Sequence, residues 1–304
     1  MVQPQPVVTV GLTKVYKDFW GRQKVHALVG LDLALEPGEV FGLLGPNGSG
    51  KSTTIKLLLG LIFPTSGSAW VLGRPPGTRA VNQHIGYLPE ESYLHRFLTG
   101  EETVDFYGRL FGLRRRERRK RTAELLDLVG LDRRARLRPL KEYSKGMSRR
   151  IGLAQALVND PELLLLDEPT TGLDPIGTRE MKDLILRLKA DGKTILLSSH
   201  LLADVQDVCD RIGILARGEL RQIGHVRDLL LVRDVFQLRA KGVGPEAADA
   251  IVAAAKAAGA EVLAADHPAT TLEDLFLRVV RAEGPSPPPH EPPASDPEAQ
   301  ARAD

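Results

Sequence analysis

The segment Gly45 to Thr53 constrains the fold of this chain more than any other part of its sequence. It reads Gly-Pro-Asn-Gly-Ser-Gly-Lys-Ser-Thr and matches the phosphate-loop pattern G-x-x-x-x-G-K-[ST] at every fixed position. A short, mostly apolar run, Glu39 to Leu44, precedes it, and a helix is expected to begin near Lys51 and to end at Gly60. Strand, glycine-rich loop and helix in that order predict an α/β nucleotide-binding domain.

Each residue type in this segment has a chemical role. Backbone N–H groups of the glycine-rich loop turn inward around phosphate oxygens, and the N-terminus of the following helix favours the same negative charge. We expect Lys51 to neutralise the β- and γ-phosphates and the Ser52 hydroxyl to bind Mg²⁺. The predicted nucleotide-binding residues here are Gly45, Pro46, Asn47, Gly48, Ser49, Gly50, Lys51, Ser52 and Thr53. A flexible glycine turn is the alternative, which the flanking strand and helix patterns disfavour.

A second apolar run ends in two carboxylates. Leu163 to Leu166 are four leucines between Pro161 and Pro169, a pattern typical of a buried parallel strand. Asp167 and Glu168 follow at its carboxyl end, where open α/β sheets bind ligands. We expect Asp167 to hold Mg²⁺, directly or through water, and Glu168 to act as general base on the attacking water. An exposed acidic turn is the alternative.

Three further motifs follow in order: Tyr143-Ser144-Lys145-Gly146-Met147, Gly172-Leu173-Asp174-Pro175, and Thr194 to His200. With the two elements above, they make the chain resemble the ATP-binding cassette (ABC) ATPases over about residues 7–230. The first motif is similar to that family's L-S-G-G-Q signature, with Tyr143, Lys145 and Met147 departing from it. The resemblance implies that Ser144 and Gly146 contact the γ-phosphate of ATP bound to a second subunit. A helix over Ser148 to Val158 is expected to direct its N-terminus at that phosphate.

The other two motifs take their roles from the same resemblance. Gly172 to Pro175 is similar to the family's D-loop, which implies that Asp174 lies at the dimer interface. Thr194 to His200 predicts a strand that ends in a switch histidine, and the resemblance implies that His200 contacts the γ-phosphate. On its own, this histidine would be read as a capping or surface residue.

Two predicted positions have rivals nearby in the sequence. Tyr16 matches the family's adenine-stacking aromatic residue, and Phe19 and Trp20 are close enough to take that role. Glu90 stands where many members have a glutamine that contacts Mg²⁺ and the attacking water, and Glu91 is adjacent. An ionised glutamate accepts hydrogen bonds and binds metal, but it cannot donate, and it adds negative charge beside the phosphates.

The chain is expected to contain one large domain and two appendages. The resemblance implies that residues 1–230 form the ABC ATPase domain, with an antiparallel N-terminal β region, a mostly parallel core sheet and a helical subdomain at about 91–143. Residues 231–283 are expected to form a small C-terminal α/β extension, and the proline-rich residues 284–304 a disordered tail. The predicted elements are a hairpin near Gly21, helices at Glu101 to Leu110 and Arg116 to Val129, strands at Val235 to Leu238 and Glu261 to Leu263, and helices at Ala247 to Ala258 and Thr271 to Val280.

Composition restricts the location and partners that we expect. The formal net charge of +2 indicates no bulk polyanion partner, so nucleic acid is not expected. The single cysteine, Cys209, suits a reducing compartment. No secretory signal and no run of about 18 apolar residues is visible, so the chain is not expected to span a membrane. The resemblance to ABC ATPases implies a homodimer with ATP at its interface and permease subunits that span the membrane. We therefore expect this chain to be cytoplasmic and peripheral on the inner face of the membrane, held there by its permease partner.

The function predicted from the sequence is ATP hydrolysis by the ATPase subunit of an export-type, multidrug-like ABC transporter with ATP and Mg²⁺ as cofactors. A soluble ABC ATPase acting on DNA or ribosomes is one alternative, although no long coiled coil or second cassette is visible. A phosphate-loop kinase or GTPase is another, although it would lack the signature and the switch histidine. The basic segment Arg114 to Arg121 is read as a solvated helix face, with anionic lipid and nucleic acid as the alternatives.

Overall fold

A computed structural model describes residues 5–17, 23–91, 94–230, 238 and 242–265, and describes only the backbone at residues 23, 24 and 203. It divides the chain into two compact units, Met1–Phe236 and Gln237–Asp304. The predicted boundary at residue 230 stays a prediction. Several sequence predictions lie outside the described residues: Phe19, Trp20, the Gly21 hairpin turn, most of the strand at 235–238, the helix at 271–280 and the tail at 284–304.

The first unit alternates strands and helices along most of its described length. Its strands are β1 (Val7–Lys17), β2 (Gln23–Leu35), β3 (Val40–Leu44), β4 (Ser66–Val71), β5 (Ile85–Leu88), β6 (Leu163–Asp167), β7 (Thr194–Ser199), β8 (Arg211–Ala216) and β9 (Glu219–His225). Its helices are α1 (Lys51–Leu58), α2 (Arg79–Asn82), α3 (Gly100–Leu110), α4 (Arg115–Leu128), α5 (Arg133–Arg136), α6 (Lys145–Ala156), α7 (Pro175–Ala190), α8 (Leu202–Gln206) and α9 (Val226–Leu230), with a 3₁₀ turn at Leu140–Glu142.

Two sheets organise these elements. The larger sheet has the order β5-β6-β7-β3-β8-β9, in which β5 to β8 run parallel and β9 pairs antiparallel with β8. The smaller sheet has the order β2-β1-β4 and is antiparallel. This arrangement confirms the predicted α/β fold with a mostly parallel core sheet and an antiparallel N-terminal region.

The parallel strands at the centre of the larger sheet end at the predicted nucleotide site. Every residue of β3, β6 and β7 is buried, because helices and the smaller sheet cover both faces. The four leucines of β6 therefore lie in the core, as their uninterrupted apolar run predicts. The carboxyl ends of these three strands meet at one edge, which places the loops that follow them side by side.

The region between β5 and β6 is helical, as predicted. Thr99 caps α3 with a capping box, in which its hydroxyl accepts from the Glu102 backbone and the Glu102 carboxylate accepts from the Thr99 backbone. The predicted helix over 148–158 is wrong in its start. It begins at Lys145, because the Ser144 hydroxyl accepts from the Met147 N–H and so caps the helix within the signature motif.

The second unit contains α10 (Pro245–Ala257), which confirms the helix predicted at 247–258. The strand predicted at 261–263 is wrong, because these residues form no ladder with any described strand, and an isolated extended segment has no partner for its backbone groups. Within the described ranges, no helix is both long and apolar enough to cross a membrane.

Candidate nucleotide-binding site

The phosphate loop connects β3 to α1 through a backbone that requires glycine. Gly45, Gly48 and Gly50 have φ values of 157°, 78° and 111°, which L-residues rarely adopt. A Cβ on Gly50 would lie 2.5 Å from the Ala27 carbonyl oxygen, and one on Gly45 would collide with the Leu215 carbonyl. These positions keep the loop tightly curved before the N-terminus of α1, the backbone arrangement that cradles phosphate oxygens. The loop therefore fits a nucleoside triphosphate.

Lys51, the first residue of α1, turns back into this loop. Lys51 is 5% exposed, and its ammonium donates to the carbonyls of Gly45 at 2.7 Å and Pro46 at 3.3 Å. The same ammonium lies 3.4 Å from a Glu168 carboxylate oxygen. Its charge is thus fixed between the phosphate loop and the end of β6.

A hydroxyl and a carboxylate meet beside this lysine. The Ser52 hydroxyl donates to Asp167 Oδ1 at 3.1 Å, which joins α1 to β6. No group of three or more histidine, cysteine, aspartate or glutamate side chains capable of holding a metal occurs in the described ranges. One hydroxyl and one carboxylate suit Mg²⁺, which keeps several waters and takes phosphate oxygens as its remaining ligands. The oxygen donors present therefore fit Mg²⁺ bound together with a nucleotide.

Ser198 completes this group, and sequence reasoning did not select it. Its hydroxyl donates to Asp167 Oδ1 at 2.6 Å and accepts from the Glu168 N–H at 3.0 Å. The signal that could have found it is strand register, since Ser198 of β7 is directly paired with Asp167 of β6. Ser198 thereby holds the Asp167 carboxylate and the Glu168 backbone.

Glu168 is the most constrained residue of the site. It is 4% exposed and has a left-handed backbone with φ 50°, which is uncommon for a residue with a side chain. One carboxylate oxygen lies 2.8 Å from His200 Nδ1 and accepts from the Thr171 hydroxyl at 3.1 Å. The structure thus brings Lys51, Glu168 and His200 together at the ends of three different elements.

The remaining predicted residues lie on separate, more exposed surfaces. Tyr16 on β1 is 40% exposed, and the Lys14 ammonium lies 5.3 Å from its ring centroid. Glu90 follows β5 and is exposed. Ser144 is the exposed N-cap of α6, and Asp174 caps α7 by accepting from the Gly177 N–H at 2.7 Å. Gly146 is partly buried in the first turn of α6.

Arg149 is the second residue that sequence reasoning missed. It lies on α6, is 3% exposed, and donates to the carbonyls of Pro89, Asp167 and Glu168. Burial lowers the pKa of Arg149 below its usual value, and the nearby carboxylates of Glu90, Asp167 and Glu168 oppose that shift. The sequence offers one signal for this burial, which is that Arg149 lies one turn after the start of α6.

Tyr87 shares these surroundings. Burial raises the pKa of Tyr87 to about 12, and the charge of Asp167 adds to the shift. The phenol therefore stays neutral at physiological pH, next to a carboxylate on the neighbouring strand.

A groove of about 390 Å³ opens on the outer side of β5, next to α3 and α6. Its walls are mostly apolar, with three amide side chains among them. The lining residues are Leu59, Leu61, Asn82, Ile85, Gly86, Tyr87, Pro89, Leu94, Tyr107, Phe111, Gln155, Ala156 and Asn159. Because Tyr87 and Pro89 belong to it, the groove adjoins the segment that carries Glu90.

The chain matches known families over the part that builds this site. The sequence profile of the ABC transporter family matches residues 28–171. An uncharacterized ABC transporter ATP-binding protein of Synechocystis sp. is 42% identical, over 93% of this chain and 87% of its own length. The linearmycin resistance ATP-binding protein LnrL of Bacillus subtilis is 41% identical, over 70% of this chain and 68% of its own. The Nod factor export ATP-binding protein I of Sinorhizobium fredii is 42% identical, over 69% of this chain and 61% of its own.

Solved structures agree with the sequence relatives. The dimeric structure of the ATP-binding cassette MJ0796 in a post-hydrolysis state, bound to ADP and Pi, matches with a TM-score of 0.67 and 28% identity, over 73% of this chain and 99% of that one. The structure of cbiO1 from Clostridium perfringens, part of the ABC transporter complex cbiONQ, matches with a TM-score of 0.66 and 28% identity, over 74% of this chain and 90% of that one. This chain belongs to the ABC transporter ATP-binding proteins and is the ATP-hydrolysing subunit of a transporter.

Proposed function

We propose that one protomer binds ATP through Lys51 and the phosphate loop and that Glu168 activates the attacking water. The observation that carries this proposal is the convergence of Lys51, Glu168 and His200 on one strand edge, with Glu168 bonded on both oxygens. A buried carboxylate held in one orientation suits a general base. In this proposal His200 contacts the γ-phosphate and adenine stacks on the ring of Tyr16; the exposure of that ring supports the second contact.

We further propose that Ser52 and Asp167 hold Mg²⁺ and that Glu90 contributes to the same ion. When bound, Mg²⁺ offsets the negative charge of the β- and γ-phosphates. Ser198 supports this arrangement by fixing Asp167 Oδ1, the same oxygen that the Ser52 hydroxyl contacts. The hydrogen bonds among Ser52, Asp167 and Ser198 keep these oxygen donors in fixed positions.

The active species in this proposal is a homodimer with two shared sites. Ser144 and Gly146 of one subunit would contact the γ-phosphate on the phosphate loop of the other, and Asp174 would lie at their interface. The exposed N-termini of α6 and α7 support this, because capping leaves their remaining N–H groups directed outward. The dimeric structure of MJ0796 supports the same arrangement.

The proposed partners are permease subunits that span the membrane, with this chain peripheral on its inner face. The docking site is the apolar groove, and its occupant is a permease segment with an apolar side. Leu61 and Phe111 on its rim are exposed, which supports docking of apolar side chains. The names of the Nod factor export and linearmycin resistance relatives favour export of a small molecule.

Membrane recovery of paired groove variants tests the docking proposal. Phe111→Asp places a charge in the groove, whereas Leu186→Asp on α7 changes an apolar residue of equal exposure, 40%, outside it. We expect the wild type and Leu186→Asp to fractionate with membranes only in cells that express the permease, and Phe111→Asp to lose that association. ATP binding by each purified variant checks folding. Membrane retention without the permease would contradict the proposal and favour lipid binding by Arg114 to Arg121.

A further inference from the structure

The three carbonyls that Arg149 contacts belong to two different segments of the site. One is the Pro89 carbonyl, directly before Glu90. The others are the carbonyls of Asp167, the last residue of β6, at 3.3 Å, and of Glu168, the next residue, at 2.5 Å. Arg149 itself lies on the helix that begins at the signature motif. One side chain therefore joins the segment before Glu90, the segment of the proposed base and the signature helix.

One of these contacts is made to a residue with an uncommon backbone conformation. Glu168 holds a φ of 50°, a conformation that persists only when surrounding bonds maintain it. Its N–H donates to Ser198, and its carbonyl accepts from Arg149 and from the Thr171 N–H. The direction of the Glu168 side chain depends on this peptide. Removing the guanidinium would leave the hydrogen bonds of Ser198 and Thr171 to the Glu168 backbone in place, but it would remove the contact between this backbone and α6.

The charge of Arg149 has a second use. The guanidinium is buried close to the carboxylates of Glu90, Asp167 and Glu168. Its Nε has no hydrogen-bond partner in the described part of the chain. Burying a charge stabilises a fold less than apolar packing of the same volume does, so stability alone does not account for an arginine here. Together with the Lys51 ammonium beside Glu168, its cation offsets the negative charge of three carboxylates, one of which, Glu90, would be absent if position 90 were a glutamine.

We propose that Arg149 is a positioning residue for hydrolysis. By holding the Pro89, Asp167 and Glu168 carbonyls together, it fixes the backbone from which Glu90 and Glu168 project and ties that backbone to the signature helix. Its charge makes a glutamate tolerable at position 90. This inference rests on the proposed role of Glu168 as general base. It predicts that hydrolysis depends on Arg149 while ATP binding does not.

Steady-state hydrolysis and equilibrium ATP binding, measured on the full chain with its permease, separate the two effects. Arg149→Gln removes the charge and the forked geometry, and Arg149→Lys keeps the charge alone. Arg136→Gln is the matched control, because Arg136 is also buried and also donates to a backbone carbonyl, that of Leu131 at 2.8 Å, away from the site. We expect kcat of Arg149→Gln to fall by about 10²-fold, the loss typical of a misplaced reacting group, with the dissociation constant for ATP unchanged. Arg149→Lys should recover part of kcat.

A second variant tests the charge balance. Glu90→Gln in the Arg149→Gln background removes the excess negative charge, so the double variant should hydrolyse ATP faster than Arg149→Gln alone. Arg136→Gln should lower thermal stability and leave kcat unchanged. The proposal is overturned if Arg149→Gln and Arg149→Lys keep the wild-type kcat, or if kcat and ATP affinity fall together in both, as general unfolding would produce. A double variant no faster than Arg149→Gln overturns the charge balance. If Glu168→Gln also hydrolyses ATP normally, the proposed role of Glu168 as general base is wrong as well. If Glu168→Gln loses hydrolysis while the Arg149 variants keep it, only the proposed role of Arg149 is wrong.

Discussion

The two halves of the proposed ATP site are built in opposite ways. Lys51, Asp167 and Glu168 are buried, and each is bonded to residues of other elements. Ser144 and Asp174 lie at the surface, and each caps the helix that follows it. The residues of the buried half are held in position at the ends of strands within one chain. The residues of the surface half lie at helix N-termini, where their side chains bond to the backbone of their own helix. From this contrast we propose that one chain can bind ATP alone and that hydrolysis requires a second copy.

Glu168→Gln should produce the largest effect and tests whether the buried half performs the chemistry. The amide keeps the shape of the side chain and cannot act as a base, so hydrolysis should fall by roughly 10²–10⁴-fold. ATP binding should persist, and an ATP-dependent dimer should accumulate, as measured by light scattering. Normal hydrolysis in complex with the permease would contradict the assignment.

Gly146→Asp, placed in the Glu168→Gln background, tests the surface half. A carboxylate facing the partner's γ-phosphate costs several kcal/mol, so the dimer should weaken by at least about 10²-fold. ATP affinity of the isolated subunit should not change. Gly146→Ala is the matched control, because a Cβ there meets its nearest atoms at 3.9 Å, an ordinary contact. Equal dimerisation of both variants would mean that no phosphate faces Gly146.

Lys51→Ala should affect the binding step of the buried half. Removing a charge-assisted contact worth about 1.5–3 kcal/mol should lower ATP affinity by roughly 10- to 150-fold. Titration with labelled ATP measures this. Lys56→Ala, which removes an exposed cation from the same helix, should leave affinity unchanged. Unchanged affinity and hydrolysis in Lys51→Ala would remove Lys51 from the site.

Tyr16→Ala should give the smallest effect, since the ring is exposed and contributes stacking alone. A loss of about 0.5–1.5 kcal/mol is expected for ATP. Binding of inorganic triphosphate, which has no base, should be unaffected, and Tyr16→Phe should bind ATP as the wild type does. Equal losses for ATP and triphosphate would show that Tyr16 does not contact adenine.

The sequence predicted the fold and most positions of the buried half because both depend on local patterns. The phosphate loop and the four leucines of β6 each specify an element and the edge at which it ends. Ser198 and Arg149 could not be selected in this way. Ser198 acts through the register of two strands, and Arg149 through contacts with Pro89, 60 residues away, and Glu168, 19 residues away. Such contacts are properties of the tertiary fold.

The start of α6 was misplaced for a related physical reason. The sequence predicts that the helix follows the signature motif, but the Ser144 hydroxyl caps the backbone there, so the helix begins inside the motif. The strand predicted at 261–263 rested on three residues, and these form no ladder with any described strand. Local pattern is a better guide to buried elements than to ends and isolated segments.

The position of β3 has a consequence for synthesis of the chain. This strand, which leads into the phosphate loop, pairs with β7 on one side and β8 on the other. Its neighbours therefore leave the ribosome only after about 150 further residues have been added, since β7 begins at Thr194. Closing such long loops slows folding. The nucleotide site is then among the last parts of the first unit to form, and a nascent chain that stops before Ala216 cannot complete its central sheet.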